Sequence, residues 1–141
     1  MTKTTISVFC AAAVFATSVM VGAQSGKMAS EGVFTADQAK RGEGIYKEQC
    51  AACHGDNLEG SGPMPPLTGK EFLSNWQDKA LAELFEKMQT SMPATAPGTL
   101  SPVQAADTLA YMLSNGKYPA GSAVLEGKAD ALALIKLDAP K

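Results

Sequence analysis

Apolar side chains recur along this chain at helical rather than strand spacing. Between residues 79 and 90, Leu81, Leu84, Phe85 and Met88 fall at i, i+3, i+4 and i+7, one face of an amphipathic helix. Further on, Val103, Ala106, Ala110 and Leu113 form a second stripe, with Tyr111 beside it. The limits of that helix are marked: Ser101 can cap it, Pro102 suits its first position, Gln104 completes a capping box, and Asn115-Gly116 ends it. A third helix is predicted from Thr35 to about Cys50, opened by the capping box Thr35-Ala36-Asp37-Gln38. Gly42 and Gly44 lie inside it, and each costs roughly 1 kcal/mol relative to alanine. A helix that accepts two glycines needs another backbone at close quarters, and Tyr46 shares the face of Gly42. Shorter helical pieces are predicted over Glu71 to Trp76 and in the second half of residues 120–141. No alternating strand pattern and no internal repeat is visible. The expected fold class is all-α, with three to four short helices and long loops.

The loops carry their own signal. Residues 55–70, GDNLEGSGPMPPLTGK, and residues 91–100, SMPATAPGTL, are too rich in glycine and proline for regular structure. Loops this long in a small domain are usually functional. The apolar core they leave is thin, so the chain needs something more to hold it together.

At the N-terminus, Lys3, the mostly apolar run from Ile6 to Met20 and the small residues Val21-Gly22-Ala23 read as a cleaved signal peptide, residues 1–23. The run is too short, and too interrupted by Ser7, Thr17 and Ser18, to read as a membrane span. Retention as an anchor is the alternative. Residues 24–34 read as a flexible leader, 35–119 as the domain, and 120–141 as a tail packing on the domain or on a partner. The 141 residues suffice for one such domain. The expected location is the periplasm, with no stable membrane insertion. Loss of Lys3 with the signal moves the formal charge from −2 to −3, which leaves no basic stripe for nucleic acid. With 18% charged residues the chain is not a disordered acidic tail either.

The chemistry gathers in EQCAACHGDNLEG, residues 48–60. Once the signal is removed, Cys50 and Cys53 are the only cysteines, and His54 is the only histidine of the chain. A structural zinc site wants four ligands, usually in two pairs, and three are present. A thioredoxin-like dithiol sits at the start of a helix beside a βαβ pattern, whereas this pair ends a helix and no strands are visible. A disulfide closing so short a loop would stabilise little. C-x-x-C-H is the sequence of c-type haem attachment. There, two thiols add to the two vinyl groups of the porphyrin and the next residue offers its imidazole to the iron. A covalent haem would also supply the apolar disc that the thin core lacks.

With no second histidine, the other axial ligand is expected to be a methionine. Met1 and Met20 belong to the signal, Met28 to the leader, and Met112 reads as core. Met88 fits the apolar stripe of its helix. Met64 and Met92 both stand in loops beside proline. Met64 follows His54 by ten residues, a short path to the opposite face, and Met92 lies in a loop free to cross that face. Met92 is favoured, with Met64 left open.

Gly42-x-x-x-Tyr46, Cys50-Ala51-Ala52-Cys53-His54-Gly55, Pro65-Pro66-Leu67-x-Gly69, Trp76, Met92-Pro93 and Leu109-Ala110-Tyr111 together resemble a class I c-type cytochrome carrying one haem. More narrowly, GKEFLSNW, MPATAPGTLS and NGKYPAG with the leucine-rich tail resemble cytochromes that accompany quinoprotein (PQQ-dependent) dehydrogenases. The resemblance implies a cytochrome c fold around one haem c, bound covalently through Cys50 and Cys53, with His54 and Met92 as iron ligands. It further implies that Gly42 and Tyr46 mark where the first helix crosses the last near Tyr111. Pro65 would accept the His54 N–H through its carbonyl, Leu67 would pack on the haem, and Trp76 would approach a propionate. Met64 departs from the small residue expected before the two prolines. The implied role is an exported one-electron carrier, not an enzyme, between a dehydrogenase donor and an oxidase or other cytochrome as acceptor. A fixed subunit of a dehydrogenase complex, or a haem sensor or catalyst with a displaceable sixth ligand, are the alternatives.

Overall fold

The computed structural model describes residues 26–141; the predicted signal peptide, residues 1–23, and the first residues of the predicted leader lie outside them. The first long helix, α1 (Ala36–Gln49), starts where Thr35 Oγ1 accepts the Gln38 N–H at 3.1 Å. Only that half of the predicted capping box forms. The Gln38 amide is buried and spent elsewhere: Nε2 donates to the Leu125 carbonyl and Oε1 accepts the Leu125 N–H, both at 2.8 Å. A tertiary bond in a dry environment has won over a local one to the helix end.

A single turn, α2 (Ala51–His54), follows at once, then α3 (Gly69–Trp76), α4 (Leu81–Ser91), α5 (Pro102–Asn115) and another single turn, α6 (Ala129–Leu132). Six α-helices therefore stand among the described residues where three to four were expected. One of them, α6, falls in the second half of residues 120–141, where a short helical piece is predicted; only α2 has no predicted counterpart, its four residues being too few to show a helical period. At α5 both halves of the capping box form, at 3.2 and 3.0 Å between Ser101 and Gln104.

Helices α1 and α5 cross with their backbones almost touching. A Cβ on Gly42 would lie 1.8 Å from the Asp107 carbonyl oxygen, so only glycine fits. Arg41 holds the buried Asp107 carboxylate with two bonds of 2.8 and 3.0 Å, and the Tyr46 and Tyr111 rings meet at 5.3 Å. Gly44 behaves differently from the expectation for paired glycines. It is exposed, and nothing lies within 4 Å of a Cβ built there.

The described part of the leader, residues 26–34, is not a flexible segment. Ala29, Val33 and Phe34 are buried in the core. A two-residue strand β1 (Lys27–Met28) pairs in parallel with β2 (Ile135–Lys136), and Ser30 gives its N–H and hydroxyl to the Asp138 carboxylate at 3.0 and 2.5 Å. Its small side chains serve close packing against the tail rather than freedom. Strands of two residues carry no alternation to read in advance. The tail returns to its own domain: Leu125, Leu132 and Leu137 are buried, and Tyr118 donates its hydroxyl to the Asp138 carbonyl. Leu137 also exchanges backbone bonds with Asp78 and Lys79, at 2.7 and 2.9 Å.

Candidate haem site

Between α2, the loop of residues 55–68, α3, α4 and α5 lies a cleft of about 520 Å³. Cys50, Cys53, His54, Pro65, Leu67, Trp76 and Met92 all line it, so seven positions spread over 43 residues of chain converge on one space. Its charged side chains, Glu48, Glu71, Lys79 and Lys87, are exposed and rim the opening. The interior lining is mostly apolar, with Phe72, Leu84, Leu100 and two further methionines, Met88 and Met112, while the exposed Met64 stands at the mouth.

The motif is shaped by a break in the helix. At Cys50 the backbone leaves helical geometry (φ −126°, ψ −36°), then resumes for the single turn of α2. This leaves Cys50 half-buried, Cys53 exposed and His54 buried, with both thiols free. The Tyr46 hydroxyl donates to the Gly55 carbonyl at 2.6 Å and ties the turn to α1. Burial, with Cys53 nearby as a lesser cause, pushes the Cys50 thiol up to about 11. Among the described residues no group of three or more His, Cys, Asp or Glu side chains comes together as a metal site, so the pair lacks partners for a closed zinc centre.

His54 is oriented from behind. Its Nδ1 lies 2.9 Å from the Pro65 carbonyl oxygen. A carbonyl can only accept, so Nδ1 carries the proton and Nε2 keeps its lone pair for a metal. The loop that brings Pro65 there is itself bonded together: Gly60 N–H to the His54 carbonyl at 2.8 Å, Ser61 and Met64 to one another at 3.1 and 3.0 Å, and Leu67 N–H to the Leu58 carbonyl at 2.9 Å. Gly60 has φ +80°, and a Cβ there would meet the Met64 carbonyl at 2.7 Å and the Pro66 nitrogen at 2.8 Å. Met64 is therefore fixed in the segment that backs the histidine.

Met92 reaches the cleft from a different element. It caps the C-terminus of α4 and is half-buried, one turn beyond the buried Met88. Trp76 is half-buried against Phe72, ring to ring at 6.3 Å, with Lys79 Nζ 5.0 Å from the indole centroid. Sequence reasoning passed over Thr108 and Phe72 and took Met112 for core only. A stripe of Ala105, Thr108, Leu109 and Met112 could have pointed to a second buried face of α5. Thr108 Oγ1 is buried without a hydrogen-bond partner, alone among the buried side-chain polar atoms of the described residues. A buried hydroxyl left so costs about 1–3 kcal/mol, unless what fills the cleft answers it.

These residues fit a haem. The space lies within the roughly 300–1,000 Å³ of cofactor pockets, its walls are apolar, two free thiols stand a turn apart at its edge, and an imidazole offers Nε2 into it. An all-α shell around such a cleft defines a c-type cytochrome. Residues 37–112 match the family described as cytochrome c oxidase, cbb3-type, subunit III, more than half of the chain, and the chain belongs to that family. It binds haem c covalently through its motif cysteines, Cys50 and Cys53.

Two curated relatives match more than half of the chain. The chain is 36% identical over 101 residues to a thiosulfate dehydrogenase of Stutzerimonas stutzeri (strain A1501), covering 64% of this chain and 31% of that protein. It is 34% identical over 83 residues to the cbb3-type cytochrome c oxidase subunit FixP of Bradyrhizobium diazoefficiens, covering 56% and 29%. It thus spans about a third of the length of either relative. Among solved structures, the sulfane dehydrogenase SoxCD of Paracoccus pantotrophus superposes with a TM-score of 0.58 at 23% identity, over 76% of this chain and 61% of that one. At that identity the likeness concerns the fold.

Proposed function

We propose that this chain is an exported one-electron carrier with His54 and Met92 as the two axial ligands of its haem, passing electrons from a dehydrogenase to an oxidase or another cytochrome. The observation that carries this reading is the division of labour at the cleft. The bonded loop 55–67 backs His54, while Met92 enters from the end of α4. Met64 belongs to the histidine's own loop, which favours Met92 over it. Haem supplies a one-electron couple, and a thioether opposite an imidazole favours the reduced state relative to two imidazoles. Pro65 fixes the imidazole ring and its tautomer. Phe72, Leu84 and Leu100 keep water from the interior, and the cleft's titratable side chains other than His54 and the two cysteines stand at its rim.

Residues 1–23 would act as the export signal and the protein would work in the periplasm. No helix among the described residues is long and apolar enough to cross a membrane. The apolar side chains Leu125, Leu132 and Leu137 are used within the domain. This favours a free carrier over a subunit held by its tail. The mouth of the cleft, with Met64, Pro66 and Ala94, would then meet partners through small, transient contacts. The names of the two curated relatives support a dehydrogenase donor and an oxidase acceptor; the quinoprotein likeness remains an expectation about the donor.

The test is absorption spectroscopy of the haem-loaded protein, oxidised, reduced, and reduced under carbon monoxide, with Met92→Ala and Met64→Ala alongside. A low-spin spectrum indifferent to carbon monoxide, lost in Met92→Ala and kept in Met64→Ala, is expected. A wild type that binds carbon monoxide readily refutes the closed site and makes the chain a sensor or catalyst.

A further inference from the structure

Helical hydroxyls have a ready acceptor in the carbonyl three or four residues back. In this structure Thr90 and Ser91 take the carbonyls of Glu86 and Lys87 at 2.8 and 2.7 Å, and Ser74 takes that of Glu71 at 2.7 Å. Of those three, Ser74 and Thr90 are exposed, where water would have served as well. Thr108 has no water to fall back on, being 1% exposed, yet it declines the same bond. Its side chain lines the haem cleft instead, one turn from Met112 on the same face of α5. The backbone that carries it is held from behind, since a Cβ on Gly42 would already meet the Thr108 nitrogen at 3.0 Å.

We infer that Thr108 donates its hydroxyl proton into the haem cleft and thereby favours the reduced cofactor. The argument is one of charge. The reduced centre carries one positive charge fewer than the oxidised centre, so the positive end of a fixed O–H dipole costs less beside it. In a water-excluded site such a dipole is poorly screened. Acceptors within the cleft are weak, the thioether sulfurs and the electron-rich face of the macrocycle, so the dipole acts on the cofactor rather than being spent on a strong partner. Thr108 is thus a tuning residue that makes no covalent bond and moves no proton. The inference rests on haem occupying this cleft and holds whichever sulfur ligates the iron.

The experiment is an equilibrium redox titration of the full haem-loaded chain in four forms: wild type, Thr108→Val, Thr108→Ala and Thr108→Ser. Valine keeps the shape and removes the hydroxyl, alanine removes it without a branched side chain to misplace, and serine restores it. Valine and alanine are expected to lower the reduction equilibrium constant about tenfold, which is about 59 mV for a one-electron couple. Serine should stay within about twofold of wild type. Valine and alanine within twofold of wild type, or shifted upward, would overturn the inference. Low-spin spectra indifferent to carbon monoxide, recorded on the same samples, report on Met92 separately. A wild type that binds carbon monoxide would sink the closed site yet leave the threonine-to-valine difference intact.

Discussion

Replacing Gly42 by alanine puts one methyl group into the crossing of α1 and α5. The added carbon would lie 1.8 Å from the Asp107 oxygen and 2.4 Å from the Asp107 carbonyl carbon, and contacts under 3.0 Å do not occur for real Cβ atoms. The obstacle is the backbone of a fourteen-residue helix, not the end of a flexible side chain. The helices must therefore part by at least about an ångström, which loosens the Arg41–Asp107 pair and the Tyr46–Tyr111 contact together. Overpacking of this kind costs about 1–3 kcal/mol or more, against roughly 1 kcal/mol gained from alanine's better helix propensity. A net loss of about 1–2 kcal/mol is expected, since the clash is with backbone and lies at the upper end of that range. Gly44→Ala is the internal control: it collects the propensity and meets nothing within 4 Å, so it should gain about 0.5–1 kcal/mol. Denaturant unfolding of the two haem-loaded variants and the wild type measures both differences in one series. A Gly42→Ala protein as stable as wild type, or a Gly44→Ala protein equally damaged, would show that the crossing does not have this geometry.

Three further outcomes are open to direct measurement. Gln38→Ala leaves the buried N–H and carbonyl of Leu125 without partners and should cost about 2–4 kcal/mol by the same unfolding assay; a loss below about 1 kcal/mol would mean that the tail finds other bonds. Tyr46→Phe removes only the bond to the Gly55 carbonyl, so about 1 kcal/mol of stability should go while the spectrum stays that of the wild type. Glu43 is held down to about 2 by hydrogen bonds from Lys40 and then Lys47, both at 2.6 Å. Its folded pKa is depressed, so its contribution is present above its ordinary value of 4.5 and fades as the pH falls towards 2. Wild type and Glu43→Gln should therefore differ slightly at neutral pH, the pair being exposed, and converge in acid. A difference that grows on acidification contradicts the assignment.

What could be read from residues alone was local. The stripe of Leu81, Leu84, Phe85 and Met88 and the caps at Thr35 and Ser101 announce their helices because each depends on neighbours within one or two turns. Cys50, Cys53 and His54 sit so close that their chemistry is written in five letters. Gly42 could be seen as a glycine that wanted a reason, yet Gly44, two positions on, had none. The difference lies in Asp107, more than sixty residues away. Gln38 turned from its own helix end to Leu125 for the same kind of cause. The leader misled because small polar residues suit both a loose chain and a tightly packed one, and Asp138 decides which. Thr108 was invisible for another reason: its interest lies in a bond it does not make.

The pairing of β1 with β2 has a consequence for the order in which this molecule comes together and apart. Ser30 and Asp138 stand 108 residues apart along the chain. Closing that span from a loose coil costs about 4 kcal/mol, growing only slowly with length. Two strands of two residues and a few side-chain bonds repay it poorly on their own. Once α1 and α5 have docked, only the short segments beyond them remain to be brought together, and the closure becomes cheap. The seam should therefore zip last on folding and lift first when the native state breathes. Amides there, such as those of Lys27 and Ser30, would exchange with solvent well before those of Tyr46 or Leu109. A neighbour or a force acting on either end of the described chain would meet this latch first and spend itself there, while the helices gripping the haem stay shut.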